Sequence, residues 1–376
     1  MSRPLSPSKG DELRARVVAV VGPKGAGKST FAKELFERCV RAHGGKVAFL
    51  DTDLGRPEYT LPGMVSLSVA DSALGEEGKK SDAETLISGG PFKEVATRVL
   101  GAVFLGEDDP SQRPEDYLNA IRQLGQLVHS KEFEYVIINT HGWFSGLGQD
   151  VLEAILLSTG VSDVVQIVPE QKMATLGSLL RASDTFQIHT LAPAKESRPR
   201  ESKLSRDRRI VDHFVADTCM YCVGLSKVKI RYPLGLIDRN LPPPYALLAL
   251  NASMVGLSIT DSNDPLHFLG IGLVCSIDLR KQCLFVLTRL TSEQLAKCEV
   301  LTMGTSAHVP LHLMPSRFHP GKEESGEDID LDILDDEDHF VPYLTSCKMI
   351  GYGSVAQQRG QLKRRRLDGG RAGGGE

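Results

Sequence analysis

The stretch GPKGAGKS, Gly22 to Ser29, constrains the fold of this 376-residue chain more than any other feature. It satisfies the phosphate-binding pattern G-x-x-x-x-G-K-[ST] at every fixed position. An apolar run from Arg16 to Gly22 precedes it, and a helical pattern follows from Lys28 to about His43. Because a glycine-rich turn between a strand and a helix directs backbone N–H groups at phosphate oxygens, the sequence predicts a nucleotide phosphate site here.

Strands and helices alternate through the first half of the chain. The pattern predicts further strands at 46–51, 134–140, 164–168 and 185–191, a buried segment at 97–105, and helices at 114–130, 150–158 and up to about 180. Residues 69–93 are interpreted mainly as loop and helix. This alternation predicts an α/β P-loop NTPase fold, with a parallel sheet and helices on both faces.

The sequence pattern changes after about residue 218, where short β-rich runs are separated by Pro and Gly. These runs, which include YCVGLSKV and YALLALN, predict a smaller β-rich C-terminal domain. We therefore expect a disordered N-terminus at 1–15, a P-loop domain at 16–217, a β-rich domain at 218–356 with an acidic disordered insertion at 320–339, and a basic, glycine-rich tail at 357–376.

Composition excludes several classes of protein. The net charge of −4 argues against a general nucleic-acid binder. The sequence contains no run of about 18 apolar residues, so it predicts no membrane span. Seven Cys without regular spacing favour a reducing compartment. Cys219 and Cys222 form a CxxC without two further ligands nearby, so both are interpreted as packing residues rather than zinc ligands.

An acid is missing from the place where many P-loop enzymes hold magnesium. The strand that contains Val136 to Ile138 is followed by Asn139, not by Asp. Asp51 and Asp53 instead end the second strand, where a carboxylate could accept the proton of an attacking hydroxyl or hold magnesium. A simple turn role for these acids is the alternative.

The only Trp of the chain, Trp143, lies just after the strand without the acid. An indole next to glycine can present its face to a nucleic-acid base. A buried core position is the alternative. The Thr140 hydroxyl could bond either a phosphate or the P-loop.

Four motifs together indicate a family: GPKGAGKST, LDTDLGRPEYTLPG, FLGEDDPSQRPEDYL and INTHGWFSGLG. In this order they resemble the polynucleotide 5′-hydroxyl-kinase family, and more closely its branch in nucleolar pre-ribosomal RNA processing. The resemblance covers residues 16–215 well and the C-terminal part loosely. It implies ATP and Mg²⁺ as cofactors, RNA with a 5′-hydroxyl end as acceptor (DNA being the alternative), an endonuclease partner, and a nuclear, nucleolar location. The basic run KRRR, from Lys363 to Arg366, is a short signal for nuclear localisation.

The resemblance also implies roles for single residues. Lys28 would contact the β- and γ-phosphates, Asp53 would activate the hydroxyl, and Ser29 with Asp53 would hold magnesium. A basic lid near 195–212 would supply Arg206 and Arg209, with Arg200 as a weaker candidate and a solvated linker as the alternative. The predicted acceptor contacts are Asp51, Arg56, Thr140, Gly142 and Trp143, and the predicted ATP contacts are Gly22, Pro23, Lys24, Gly25, Ala26, Gly27, Lys28, Ser29 and Thr30.

Two departures from the family pattern affect these expectations. Arg56 stands where the family usually has Gln, so contacts with the acceptor are expected to differ. Only about fifteen residues precede the P-loop, where relatives carry a sizeable domain, which indicates either a dispensable domain or a shortened form. A non-catalytic ATP-binding scaffold and a nucleoside kinase are the alternative functions, and the Trp segment and basic lid favour a polymer acceptor over a nucleoside.

Overall fold

A computed structural model describes residues 15–70, 97–143, 146–168, 186–193, 202–215, 217–232, 247–261 and 264–309. Packing divides the chain into two compact units. The first contains residues 1–206 with 262–268, and the second contains 207–261 with 269–376. Several predicted segments lie outside the described residues: positions 1–14, most of 69–93, the helix before 180, the acidic run 320–339 and the tail 357–376.

The first unit contains a seven-stranded sheet in the order β4-β3-β2-β5-β1-β6-β7. Strands β2, β5, β1, β6 and β7 pair in parallel, and their carboxyl ends meet at one edge. The bounds are β1 Arg16–Val21, β2 Val47–Asp51, β3 Met64–Ala70, β4 Thr97–Phe104, β5 Tyr135–Asn139, β6 Asp163–Ile167 and β7 Gln187–Leu191.

Strand β3 makes the predicted parallel sheet a mixed one, because it runs antiparallel to both β2 and β4. The connection at 52–63 is fully described and contains no helix. A parallel neighbour requires a longer crossover, so the chain can only return antiparallel. The strand escaped prediction because Ser66 and Ser68, both buried, interrupt its apolar residues.

Helices cover both faces of this sheet, as predicted. Helix α1, Lys28–His43, packs Ala32, Phe36 and Val40 on one face, and ends at Gly44 with a φ of +63°. Helices α2, Pro114–His129, and α3, Leu147–Ser158, bury their apolar stripes in the core of the other face. The predicted helix at 114–130 is therefore confirmed, whereas α3 begins three residues earlier than predicted.

Asp163 joins three neighbouring strands at the sheet edge opposite the P-loop. Its carboxylate accepts both guanidinium bonds of Arg16 at 2.9 Å and lies 3.0 Å from Nε2 of His189. The Arg16 hydrogen bonds hold the pKa of Asp163 well below its usual range, despite the opposing effect of burial. This edge is thus fixed by a charged network on the first residues of β1 and β6.

The second unit contains a six-stranded sheet in the order β8-β12-β11-β10-β13-β9, which confirms the predicted β-rich C-terminal region. Residues 247–251, expected to be part of a strand, instead form helix at 247–248 and a turn after it, in which the Leu250 N–H donates a hydrogen bond to the Leu247 carbonyl oxygen at 3.0 Å. Cys219 and Cys222 are exposed on β8, so interpreting them as packing residues was wrong. The remaining elements are α4 Ser202–Val215, β8 Cys219–Gly224, β9 Lys229–Arg231, β10 Ser253–Ser258, β11 Phe268–Asp278, β12 Cys283–Thr288, α5 Ser292–Ala296 and β13 Val300–His308.

The described residues contain neither a metal-binding cluster of side chains nor a membrane-spanning helix. No cluster of three or more His, Cys, Asp or Glu side chains that could hold a metal ion occurs among them. None of their helices is both long and apolar enough to cross a bilayer.

Candidate active site

The phosphate-binding loop joins the end of β1 to the start of α1. Gly25 and Gly27 have φ angles of +82° and +95°, in the left-handed region that favours glycine. Gly22 lies so close to the end of β6 that a Cβ there would be 2.4 Å from the Ile167 carbonyl oxygen. Helix α1 begins at Lys28 without a side-chain cap from any described residue. Its first N–H groups therefore fit an anionic ligand.

Lys28 is buried within this loop, with 6% of its surface exposed. Its ammonium group donates a hydrogen bond to the Pro23 carbonyl oxygen at 3.1 Å. Burial lowers the pKa of Lys28 to about 8; the Asp53 carboxylate opposes this change, and the Arg56 guanidinium adds to it. The lysine therefore carries a costly buried charge, which an anionic phosphate would offset.

Asp51 organises the loop that follows β2. Its Oδ1 accepts hydrogen bonds from the Asn139 amide at 3.0 Å and from the Asp53 N–H at 3.2 Å, and its Oδ2 accepts one from the Glu58 N–H at 2.6 Å. Burial raises the pKa of Asp51 to about 8, while the bond from the Glu58 N–H opposes the change. Asn139 thus fixes this loop from the neighbouring strand, and the acceptor contact expected of Asp51 stays a prediction.

Backbone hydrogen bonds to one of its two carboxylate oxygens fix the side chain of Asp53. Its Oδ1 accepts hydrogen bonds from the N–H groups of Gly55 at 3.1 Å and Arg56 at 3.3 Å. Its Oδ2 accepts none from the residues that the structure describes. The side chain is partly exposed, and Arg56 is exposed beside it. This geometry fixes the carboxylate by a turn and leaves one oxygen for a proton or a cation.

The segment after β5 packs against the phosphate loop. The Thr140 hydroxyl donates a hydrogen bond to the Val20 carbonyl oxygen at 2.7 Å, so it bonds the strand that carries the P-loop. Gly142 lies against the loop itself, where a Cβ would be 2.9 Å from the backbone nitrogen of Lys24. The segment therefore lies beside the phosphate loop, and the acceptor contacts expected of Thr140 and Gly142 stay predictions.

Trp143 is partly buried and packs against the apolar core under α2 and α3. Its indole lies over Gly148, where a Cβ would be only 2.3 Å from the ring atom Cδ2. Part of the ring remains exposed, so the structure combines the two alternatives weighed for this residue. Its stacking on a base stays a prediction.

His141 was missing from the predicted site. Only 2% of it is exposed, its Nδ1 accepts a hydrogen bond from the Trp143 N–H at 3.2 Å, and its ring centre lies 5.9 Å from that of Tyr117. Burial lowers the pKa of His141 to about 4; Lys28 adds to this effect and Asp109 opposes it. The imidazole is therefore neutral near pH 7 and lies within electrostatic range of the phosphate-loop lysine.

Tyr117, on α2, also belongs to this region, and its hydroxyl donates a hydrogen bond to the Thr52 carbonyl oxygen at 2.6 Å. Tyr117 and His141 were missed although both lie in quoted motifs. The helical pattern marked Tyr117 as a core residue, and a histidine between Thr and Gly carries no signal by itself.

Arg206 is ion-paired with Asp108, a residue of the FLGEDDPSQRPEDYL motif. The Asp108 carbonyl oxygen in turn lies 3.0 Å from where a Cβ of Gly55 would be. Arg206, which belongs to the first unit, is therefore paired with a residue whose backbone lies beside the loop that contains Asp53. Arg209 lies on the part of α4 in the second unit, Arg200 lies outside the described residues, and the roles of both stay predictions.

The sheet order, the glycine cradle and the buried Lys28 define a P-loop nucleotide-binding protein. Residues 22–215 match the family described as the mRNA cleavage and polyadenylation factor CLP1 P-loop. That match spans more than half of the chain, so the chain belongs to this family. Residues 216–309 match the NOL9-like C-terminal domain, which confirms the resemblance found in the motifs.

Individual relatives agree with this family. The polynucleotide 5′-hydroxyl-kinase NOL9 of Arabidopsis thaliana is 28% identical over 332 residues, which cover 78% of this chain and 86% of the relative. NOL9 of Danio rerio is 29% identical over 189 residues, 49% of this chain and 24% of the relative. The wild-type Clp1p–Pcf11p (454–563) complex contains a chain of similar fold, with a TM-score of 0.56, 16% identity and coverage of 79% of this chain and 75% of that one.

Proposed function

We propose that this protein is an ATP-dependent kinase that transfers the γ-phosphate to the 5′-hydroxyl end of RNA, or alternatively of DNA. The relatives named above supply the reaction class, and the arrangement of Asp53 supports it. A turn-fixed carboxylate with one oxygen left for a ligand lies within electrostatic range of the buried P-loop lysine. That pairing suits in-line transfer, in which a carboxylate acts as the base and receives a hydroxyl proton beside a bound phosphate.

The chain's own groups supply each part of the transfer. Oδ2 of Asp53 accepts the proton of the 5′-hydroxyl as the 5′ oxygen bonds the γ-phosphorus. The bond between that phosphorus and the β,γ-bridging oxygen breaks, and ADP leaves. Lys28 and the N–H groups at the start of α1 stabilise the phosphate charge. Arg206 would add positive charge at the same place once it separates from Asp108.

Magnesium fits the same residues. The Ser29 hydroxyl at the start of α1 is a hard oxygen ligand of the kind that Mg²⁺ prefers, and Asp53 would hold the ion through a water molecule, which leaves Oδ2 for the hydroxyl proton. When bound with ATP, the ion neutralises charge on the β- and γ-phosphates. Phosphate oxygens and water would complete its coordination.

The names of the relatives support a proposal for the cellular setting. Two of them carry the name NOL9, and a solved complex of similar fold holds Clp1p with a second protein, Pcf11p. We infer a role in pre-ribosomal RNA processing, a nucleolar location, and a partner endonuclease that leaves 5′-hydroxyl ends. Co-purification of an RNA-cleaving protein with the tagged full chain would test the partner.

The first test is transfer of labelled γ-phosphate from ATP to a short 5′-hydroxyl RNA. Lys28→Met and Asp53→Asn should each reduce labelling by about 100-fold or more, since each removes a group acting on the transferring phosphate. The same RNA carrying a 5′-phosphate should accept no label. An unlabelled wild-type reaction with ATP still bound would refute the kinase and favour the ATP-binding scaffold.

The chain offers matched controls for both variants. Lys46 is a surface lysine paired with Glu134, at the amino end of β2 and away from the phosphate edge. Asp278 forms the same kind of turn as Asp53, accepting hydrogen bonds from the N–H groups of Arg280 and Lys281, but it belongs to the second sheet. Lys46→Met and Asp278→Asn should leave labelling unchanged. An equal loss in either control would show that lost stability, not chemistry, explains the result.

A further inference from the structure

The Nε2 atom of His141 is a buried polar atom beside the phosphate loop of the first unit. Neither this atom nor its proton has a hydrogen-bond partner among the described residues. The ring cannot turn away to water, because only 2% of the residue is exposed. Leaving a buried donor without a partner is unfavourable, so a partner is expected in the working complex.

The tautomer of His141 follows from its one hydrogen bond. The Trp143 N–H donates to Nδ1 at 3.2 Å, so Nδ1 carries no proton. The imidazole is neutral near pH 7, which places the single ring proton on Nε2. Nε2 is therefore a fixed donor without charge, and its natural partner is an acceptor oxygen.

The surroundings indicate which acceptor this is. His141 follows Thr140, whose hydroxyl bonds β1 just before the P-loop, and precedes Gly142, which contacts the backbone of Lys24. The Lys28 ammonium is close enough to lower the pKa of the imidazole. A P-loop lysine contacts the β- and γ-phosphates of a bound nucleotide. An acceptor oxygen near both Lys28 and His141 would therefore belong to the γ-phosphate.

We propose that Nε2–H of His141 donates a hydrogen bond to a γ-phosphoryl oxygen of bound ATP, and that this bond makes the site prefer ATP to ADP. The proposal rests on nucleotide binding by the P-loop, and it deepens the proposed kinase function without requiring RNA as acceptor. His141 is then a contact to the transferring group rather than only a support for Trp143.

Two amide substitutions separate these roles, because each replaces a different ring nitrogen. His141→Gln extends an amide N–H to about the position of Nε2, and His141→Asn offers an oxygen near the position of Nδ1. Calorimetric titration with ATP and with ADP, in magnesium buffer, gives the ratio of the two affinities. The proposal predicts that Gln keeps most of the wild-type ratio and that Asn lowers it about 10- to 100-fold, the range for a hydrogen bond to a charged group.

The opposite pattern would overturn the proposal. If His141 only supports Trp143 through Nδ1, Asn will keep the ratio and Gln will lose ATP and ADP affinity together. In either variant the ATP-to-ADP ratio would then be unchanged, which refutes the proposal. Unchanged ADP affinity in the Asn variant is the built-in control for a folded site.

Kinetics provide a second readout that depends on the proposed acceptor. His141→Asn should lower kcat for labelling of 5′-hydroxyl RNA and leave KM for RNA unchanged, while His141→Gln restores kcat in part. If RNA is not the acceptor, the ATP-to-ADP ratio still decides the role of His141. Failure of the kinase proposal and failure of this one are therefore distinguishable.

Discussion

Replacing Lys28 by Met should stabilise the nucleotide-free first unit. Folding with a charged Lys28 is unfavourable, because burial lowers its pKa from 10.5 to about 8. That difference corresponds to about 3 kcal/mol at pH 7. The variant loses the bond to the Pro23 carbonyl, worth about 1 kcal/mol. The net gain is about 2 kcal/mol, which raises Tm by about 4–8 °C for a unit of this size.

The pH dependence follows from the direction of this change. Between about pH 8 and 10.5 the unfolded chain keeps the Lys28 proton that the native state has released, so wild-type stability rises with pH. The variant lacks this gain, and its advantage should be full below pH 8 and vanish near pH 10.5. Saturating ATP should reverse the order at pH 7, because only the wild type keeps its phosphate-binding lysine.

Thermal unfolding followed by tryptophan fluorescence provides the assay. Trp143, the only tryptophan, lies in the first unit and reports its transition. Lys24→Met is the matched control, since Lys24 lies in the same loop but is exposed, and its Tm should stay nearly constant. A Lys28→Met protein no more stable than wild type, or equally favoured at pH 7 and pH 10, would refute the reasoning.

Three further predictions concern packing and charge. Gly142→Ala forces a Cβ to within 2.9 Å of P-loop backbone and should weaken ATP binding at least tenfold by calorimetry, whereas Gly125→Ala, with nothing closer than 3.5 Å, should not. Gly148→Ala should displace the Trp143 indole and shift its emission to longer wavelength; an unchanged spectrum would contradict the contact. Asp163→Asn should lower urea stability at pH 7 and progressively less below pH 4, where the wild type loses its own carboxylate contribution; a constant difference would argue against the Arg16 network.

Local signals were sufficient for the phosphate site and much of the sheet. The P-loop, α1 and α2 could be predicted because glycine spacing and helical periodicity act within a few residues. The acid after β2 could also be located, since the end of a parallel strand marks the active edge. The family resemblance then supplied the residues around it.

Other features depend on contacts between distant residues. The antiparallel direction of β3 follows from the absence of a crossover helix, and its buried serines concealed the strand. The pairing of Asp108 with Arg206 joins residues 98 positions apart. Asn139 was noticed only as a missing acid, although its amide fixes Asp51. The partnerless Nε2 of His141 is a property of three-dimensional burial, which no pattern in the sequence records.

The strand order determines how far the proposed base lies from the phosphate loop. Strand β5 lies next to β1, and β2 is the next strand beyond it. Neighbouring strands are separated by about 4.8 Å, so an acid after β2 starts about 5 Å further from the P-loop strand than an acid after β5. That added width is comparable to one hydroxyl oxygen together with the phosphoryl group it attacks. Because the acid follows β2 and the amide of Asn139 ends β5, this edge of the sheet has room for a second substrate.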